Sequence, residues 1–166
     1  MFNYSKLSYE LKREIKKFTN KITVGLSRPK YKFVFQMFYG MLESQSTHLS
    51  NISRALKEEI TLKKTIDRLS RNLGRFVEND AIIENYMGIV KENINNLSVL
   101  IIDNSDISKP YSEMLDSLCE VRDGSTGKIT TGYHLLEITA LTKEHKTPMP
   151  VYTRVYSSTE NGFISE

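Results

Sequence analysis

Residues 98–110 read Ser-Val-Leu-Ile-Ile-Asp-Asn-Ser-Asp-Ile-Ser-Lys-Pro. Val99 to Ile102 form an unbroken apolar run rich in β-branched side chains. The run is too short for an ordinary helix and predicts a strand buried on both faces. Asp103 ends it. A carboxylate there needs a cation or a hydrogen-bond donor to offset its desolvation. Two roles suit it: opening a turn with Asn104, Ser105 and Asp106, or holding a metal ion.

Downstream, residues 110–118 predict a loop or a short helical turn. Asp123-Gly124 and Gly127 mark a tight connection. It is no phosphate-binding loop, because two residues rather than four separate its glycines and Ile129, not Ser or Thr, follows Lys128. Residues 133–142 predict a strand, 144–150 a turn and 151–156 another strand. Ser158 to Glu166 resemble the opening of a helix. Beyond Asn95-Asn96, then, the chain predicts three strands, the first carrying Asp103.

Upstream the texture is helical. Leu7, Leu11, Ile15, Phe18 and Ile22 recur at helical spacing and form one apolar face. Pro29 interrupts, and residues 31–42 predict a buried helix, although the aromatics would also suit a strand. Leu49, Ile52 and Leu56 mark a short helix, with Thr47 or Ser50 available as cap. The next begins near Thr61 with Leu62, Ile66, Leu69 and Leu73 as its apolar row. Lys64, Arg68, Arg71 and Arg75 form a basic row on the same helix. At about 100° per residue the two rows lie on opposite sides. One side can pack while the other meets phosphates, so the row is a candidate nucleic-acid face; a solvated charged face is the plainer reading. The pair of short helices resembles a helix-turn-helix without a glycine in its turn. Residues 78–94 give a last helix, with Asn79 or Asp80 as cap and Ile82, Ile83, Tyr86, Ile89 and Val90 inward.

The 166 residues leave room for one ordinary domain or two small ones, and the 26% charged share suits a soluble protein. Residues 1–95 hold 17 Lys and Arg against 10 Asp and Glu, a net +7, whereas residues 96–166 hold 6 against 10, a net −4. A basic half beside an acidic half suggests a polyanion-binding part joined to a part with another task. Cys119 is the only cysteine, which excludes an internal disulfide, and it reads as a small buried hydrophobe. His48, His134 and His145 show no metal-ligand spacing. No signal peptide opens the chain, and no stretch approaches the roughly 18 apolar residues of a membrane span. The expectation is a cytoplasmic protein without a membrane partner.

The run from Val99 to Pro110 precedes Asp123-Gly124, Gly132-Tyr133-His134-Leu135-Leu136, Ala140-Leu141-Thr142, Pro148-Met149-Pro150, Arg154 and Tyr156-Ser157. Over residues 97–166 this order of motifs resembles the start of the catalytic domain of DDE transposases, more narrowly the bacterial insertion-sequence type with a β-strand insertion. The resemblance implies an α+β chain. Residues 1–95 would be an all-α, basic, DNA-binding bundle, and residues 96–166 the first three strands of a truncated ribonuclease H-like domain. It implies that Asp103 is the first of three catalytic, metal-binding carboxylates serving Mg²⁺ or Mn²⁺ in the complete enzyme. Lys64, Arg68, Arg71 and Arg75 would bind DNA at the element's terminal repeats. The family's other two carboxylates lie on a fourth strand and a later helix, and neither Glu160 nor Glu166 matches them. One aspartate cannot hold two metal ions in register. The expectation is therefore an N-terminal transposase part that does not hold its metals alone and is inactive by itself, with the third strand as an open edge. The alternatives are a DNA-binding inhibitor of the full-length transposase or an inert remnant.

Overall fold

The computed structural model describes residues 4–95, 98–112, 114–142, 144 and 147–163, with the backbone alone for residues 4–8. The Leu7 side chain, Asn96, His145 and Glu166 lie outside the described residues. The chain is α+β: among the described residues, five helices are followed by a four-stranded antiparallel sheet. It divides into two compact units, Met1–Ile89 and Val90–Glu166.

The first unit is built on α1 (Tyr4–Ile22), α2 (Arg28–Ser44), α3 (Leu49–Leu56), α4 (Leu62–Gly74) and the start of α5 (Asn79–Asn93). On α1 the buried row is Ile15, Thr19 and Ile22, while Phe18 stays partly exposed. Gly25, at φ +85°, turns the chain away in the left-handed region that glycine tolerates best. Pro29 does not end a helix but starts one, sitting in the first turn of α2, where a missing N–H costs nothing. The aromatic run after it is helical and buries Phe33, Val34 and Tyr39. Ile22, Phe33, Val34, Ile52 and Leu69 form the core, flanked by Met37, Phe38, Ile82 and Tyr86. Gly40 lets α3 approach α2 closely: a Cβ there would lie 2.5 Å from Ile52 Cγ2.

Two expected caps are corrected. Neither Thr47 nor Ser50 precedes α3; His48 does, and its side chain makes no capping bond. Asn79 and Asp80 lie inside the first turn of α5. Val90 is fully buried, whereas Ile83 faces solvent.

The second unit holds β1 (Leu100–Ser108), β2 (Cys119–Arg122), β3 (Ile129–Leu141) and β4 (Pro148–Tyr156). β3 is the common partner. β1 runs along it from Leu100↔Ala140 to Ser108↔Gly132. β2 pairs with its first four residues and β4 with His134 to Leu141. The described residues form four strands rather than three, because Cys119–Arg122 pairs too. β2 and β3 form a hairpin whose loop is tied by Asp123, whose Oδ1 accepts from Ser125 N at 2.8 Å and Ser125 Oγ at 2.6 Å. β4 begins at Pro148, inside the segment expected to be a turn. A register shift between Ile138 and Thr139 takes up one residue of β4, so that Pro150 faces Thr139. Proline is tolerated where a strand has a free edge or a bulge, and among the described residues β4 has both.

The expected burial of β1 does not hold. Val99 to Ile102 are exposed, Ile102 to 68%. Among the described residues β1 has β3 as its main neighbour and keeps its outer edge open. The β-branched run does form a strand; burial of both faces would require partners that the described residues do not supply.

Candidate nucleic-acid interface and carboxylate row

Lys64, Arg68 and Arg71 of the basic row lie on α4, and Arg75 is the residue just past its end. The apolar row would put Leu62, Ile66, Leu69 and Leu73 inward, but the fully buried residues are Thr65 and Leu69, and Leu62 and Leu73 are partly exposed. At about 100° per residue, a buried face centred between Thr65 and Leu69 is turned toward the basic row. Arg68 is carried inward by that rotation. Its Nη2 donates to Glu58 Oε2 at 2.6 Å and its Nη1 to Gln36 Oε1 at 2.8 Å. Gln36 Nε2 donates to Glu58 Oε1 at 2.7 Å, which closes a ring of three side chains. Thr65 Oγ1 adds a bond to Glu58 Oε2 at 3.2 Å.

The ring ties α2, the α3–α4 connection and α4 together. Burial pushes the Glu58 carboxyl up, but the hydrogen bond and charge of Arg68, with Thr65 and Gln36, outweigh it and hold the group below its ordinary value. Nothing in the spacing of residues 36, 58 and 68 signals this ring, and its place in the basic row had suggested a DNA contact for Arg68. The row therefore splits: Arg68 is an internal brace, while Lys64, Arg71 and Arg75 are exposed. Arg71 donates from Nε to the carbonyl of Asp67 at 3.2 Å. Lys57 and Lys63, which the sequence reading did not single out, are exposed on the same α3–α4 hairpin. Lys57 also turns the chain after α3, at φ 49°, where a glycine would have been the stronger signal.

Asp103 lies in the middle of β1 rather than in a turn, and it is exposed. Glu137 of β3 stands directly opposite. Thr153 of β4 pairs with Glu137 from the far side, so the three make one row across the sheet. Glu137 Oε1 accepts from Thr139 Oγ1 at 2.9 Å. Two carboxylates side by side repel unless a cation joins them. Among the described residues no group of three or more His, Cys, Asp or Glu stands close enough to hold a metal ion. Asp103, with Glu137 beside it, could supply part of such a site.

Asp106 has a different task. Its Oδ1 meets His134 Nδ1 at 2.8 Å and its Oδ2 accepts from the Arg122 backbone N–H at 3.1 Å. The His134 ring lies 5.3 Å from that of Tyr156, whose hydroxyl reaches Asn104 Oδ1 at 3.3 Å. These bonds cross-link β1, β2, β3 and β4. Cys119 is buried and donates to the Gly132 carbonyl at 3.5 Å. Burial raises its thiol, and hydrogen bonds from Ser157 and Ser158 outweigh that and lower it. No described helix is long and apolar enough to cross a membrane.

Known proteins offer no guide at this point. No family model, no curated protein and no solved structure matches the chain.

Proposed function

We propose that this chain is the N-terminal part of a DNA transposase, in which the helical unit binds the ends of a mobile element and β1 contributes one catalytic carboxylate. The observation that carries the DNA reading is the set of exposed cations Lys64 and Arg71 on α4 and Arg75 just past its end, none of them ion-paired with a carboxylate among the described residues. The order of motifs around Asp103 supports the transposase reading. DNA phosphates are the natural partner for such a row. Asp103 would hold one side of a Mg²⁺ or Mn²⁺ pair, whose role in the complete enzyme is to activate and stabilise oxygens at the scissile phosphate. The described residues do not complete that site, so the remaining carboxylates would have to come from further polypeptide. No cleavage step is assigned to this chain alone.

The test is DNA binding by the 166-residue chain as a function of salt. With three phosphate contacts, log affinity falls against log salt with a slope of about −2.7 or steeper. Lys64→Ala and Arg71→Ala each reduce the slope by about 0.9. Asp103→Ala leaves binding unchanged. Salt-independent binding, or none at low salt, overturns the DNA reading. Strand transfer by the purified chain with Mg²⁺, lost in Asp103→Ala, would show that the site is already complete. Binding without strand transfer favours the second reading, an occupant of element ends that inhibits the full enzyme.

A further inference from the structure

Between the start of α2 and the end of α4 lies a cleft of about 240 Å³. Pro29, Phe33 and Phe76 give it an apolar floor, and Ser27, Asn72 and Arg75 line its polar side. The Phe33 and Phe76 rings are 5.5 Å apart and tilted, which fixes the floor against the core. Lys30 also lines the cleft, but its ammonium is paired with Glu78. The guanidinium of Arg75 has no ion pair among the described residues. Ser27, just before α2, makes no capping bond with its hydroxyl.

These facts restrict the ligand. Drug-sized ligands occupy roughly 300–1,000 Å³, so this cleft suits one smaller, flat group. An aromatic floor takes a flat ring. One uncommitted cation matches one negative charge, that of a phosphodiester rather than of a terminal phosphate. Two short donors, the Asn72 amide and the Ser27 hydroxyl, can complete the shell of a phosphate oxygen. We infer that this cleft takes one unpaired nucleotide of a DNA strand, its phosphodiester on Arg75 and its base against Pro29 and Phe76.

The inference rests on the DNA reading above and deepens it. Arg75, just past the end of α4, is exposed beside that helix and lines the cleft, so a duplex lying along Lys64 and Arg71 would deliver its end, or a strand leaving it, to the cleft. The helical unit would then prefer DNA with a single-stranded end over a blunt duplex. Stacking on aromatic side chains is sequence-tolerant, so the preference would not depend on which base is presented.

Fluorescence anisotropy with the full chain tests this, using a labelled blunt duplex and the same duplex carrying a short thymidine overhang. The overhang should tighten binding about tenfold. Asn72→Trp fills the cleft from an exposed position outside the basic row; it should abolish the overhang's gain and leave blunt-duplex binding unchanged. Asn72→Leu, which removes the amide donor and adds no charge beside Arg75, should also diminish the overhang's gain and covers the case in which the tryptophan variant misfolds. Equal wild-type affinity for both duplexes overturns the inference and leaves the DNA reading standing. An overhang preference that survives both variants also overturns it. Failure to bind either duplex at low salt defeats the DNA reading itself, and the inference with it.

Discussion

Arg68→Ala separates a structural arginine from a DNA-binding one. The guanidinium makes two charge-assisted hydrogen bonds, 2.6 Å to Glu58 and 2.8 Å to Gln36. The ion pair is partly buried, with side-chain exposures of 29% for Arg68 and 22% for Glu58. Charge-assisted bonds contribute about 1.5–3 kcal/mol each when buried. Solvent screening at this exposure reduces the sum, and about 2 kcal/mol for the pair of bonds is the expected cost of the substitution. For a unit of this size each kcal/mol lowers the Tm by about 4–8 °C, so a drop of about 8–16 °C is expected. Arg71→Ala, on an exposed site, should stay within about 0.5 kcal/mol. The assay is far-UV circular dichroism of the helical signal on heating, repeated across pH. Glu58 has a folded-state pKa below its ordinary 4.5. Its contribution is therefore full above that value and fades as pH falls through the folded pKa; in Arg68→Ala this pH dependence should largely vanish. If Arg68→Ala melts like the wild type and loses DNA affinity as Arg71→Ala does, the ring is not a brace and Arg68 belongs to the DNA face.

Gly40→Ala should destabilise the helical unit by about 1–3 kcal/mol in urea denaturation, because its Cβ meets both the Ile52 side chain and backbone; an unchanged midpoint would mean that α2 and α3 are less tightly apposed. Ile102→Lys, at a 68% exposed position on β1, should leave the melting curve within about 0.5 kcal/mol of wild type and lower turbidity on concentration. A collapse of the fold would show that this strand is covered in solution. Asp123→Ala should loosen the β2–β3 loop. The carboxyl is held below its ordinary 3.8 first by the Ser125 hydroxyl and backbone, so the wild-type advantage should be present above that pH and fade below it. Amide exchange at Ser125 and Thr126 reads the outcome, and equal protection in both proteins would refute it.

The helices were legible because apolar spacing reports which residues can share a face. Ile15, Ile22, Ile52 and Leu69 are buried as their rows imply. The orientation of α4 was not legible. Four apolar positions placed the inward face at Leu62 to Leu73, but a polar ring with Glu58 and Gln36 drew Thr65 and Arg68 inward instead. Spacing within one helix carries no information about a carboxylate on another segment. β2 was missed because four residues give little periodicity, although Cys119 and Val121 buried against Glu120 and Arg122 exposed is the expected alternation. Asp103 was legible as a residue of the first strand but not as its middle, since β1 runs on to Ser108, and its neighbour Glu137 emerges only from the register of β1 on β3. The burial of β1 failed for a different reason: β-branched composition reports what a strand would tolerate, not whether a neighbour is there to cover it.

The pairing of β1 with β3 also sets a clock. Leu100 waits for Ala140 and Ser108 for Gly132, so the strand made first has no partner until β3 is synthesised. At about 5–20 residues per second, the gap between Leu100 and Ala140 corresponds to about 2–8 s during which Val99 to Ile102 are unpaired on a growing chain. Neighbouring nascent chains on one message would display the same apolar tetrapeptide together only when their ribosomes stand closer than the 40 codons between Leu100 and Ala140. Yield of the intact sheet should thus depend on ribosome spacing as well as on stability.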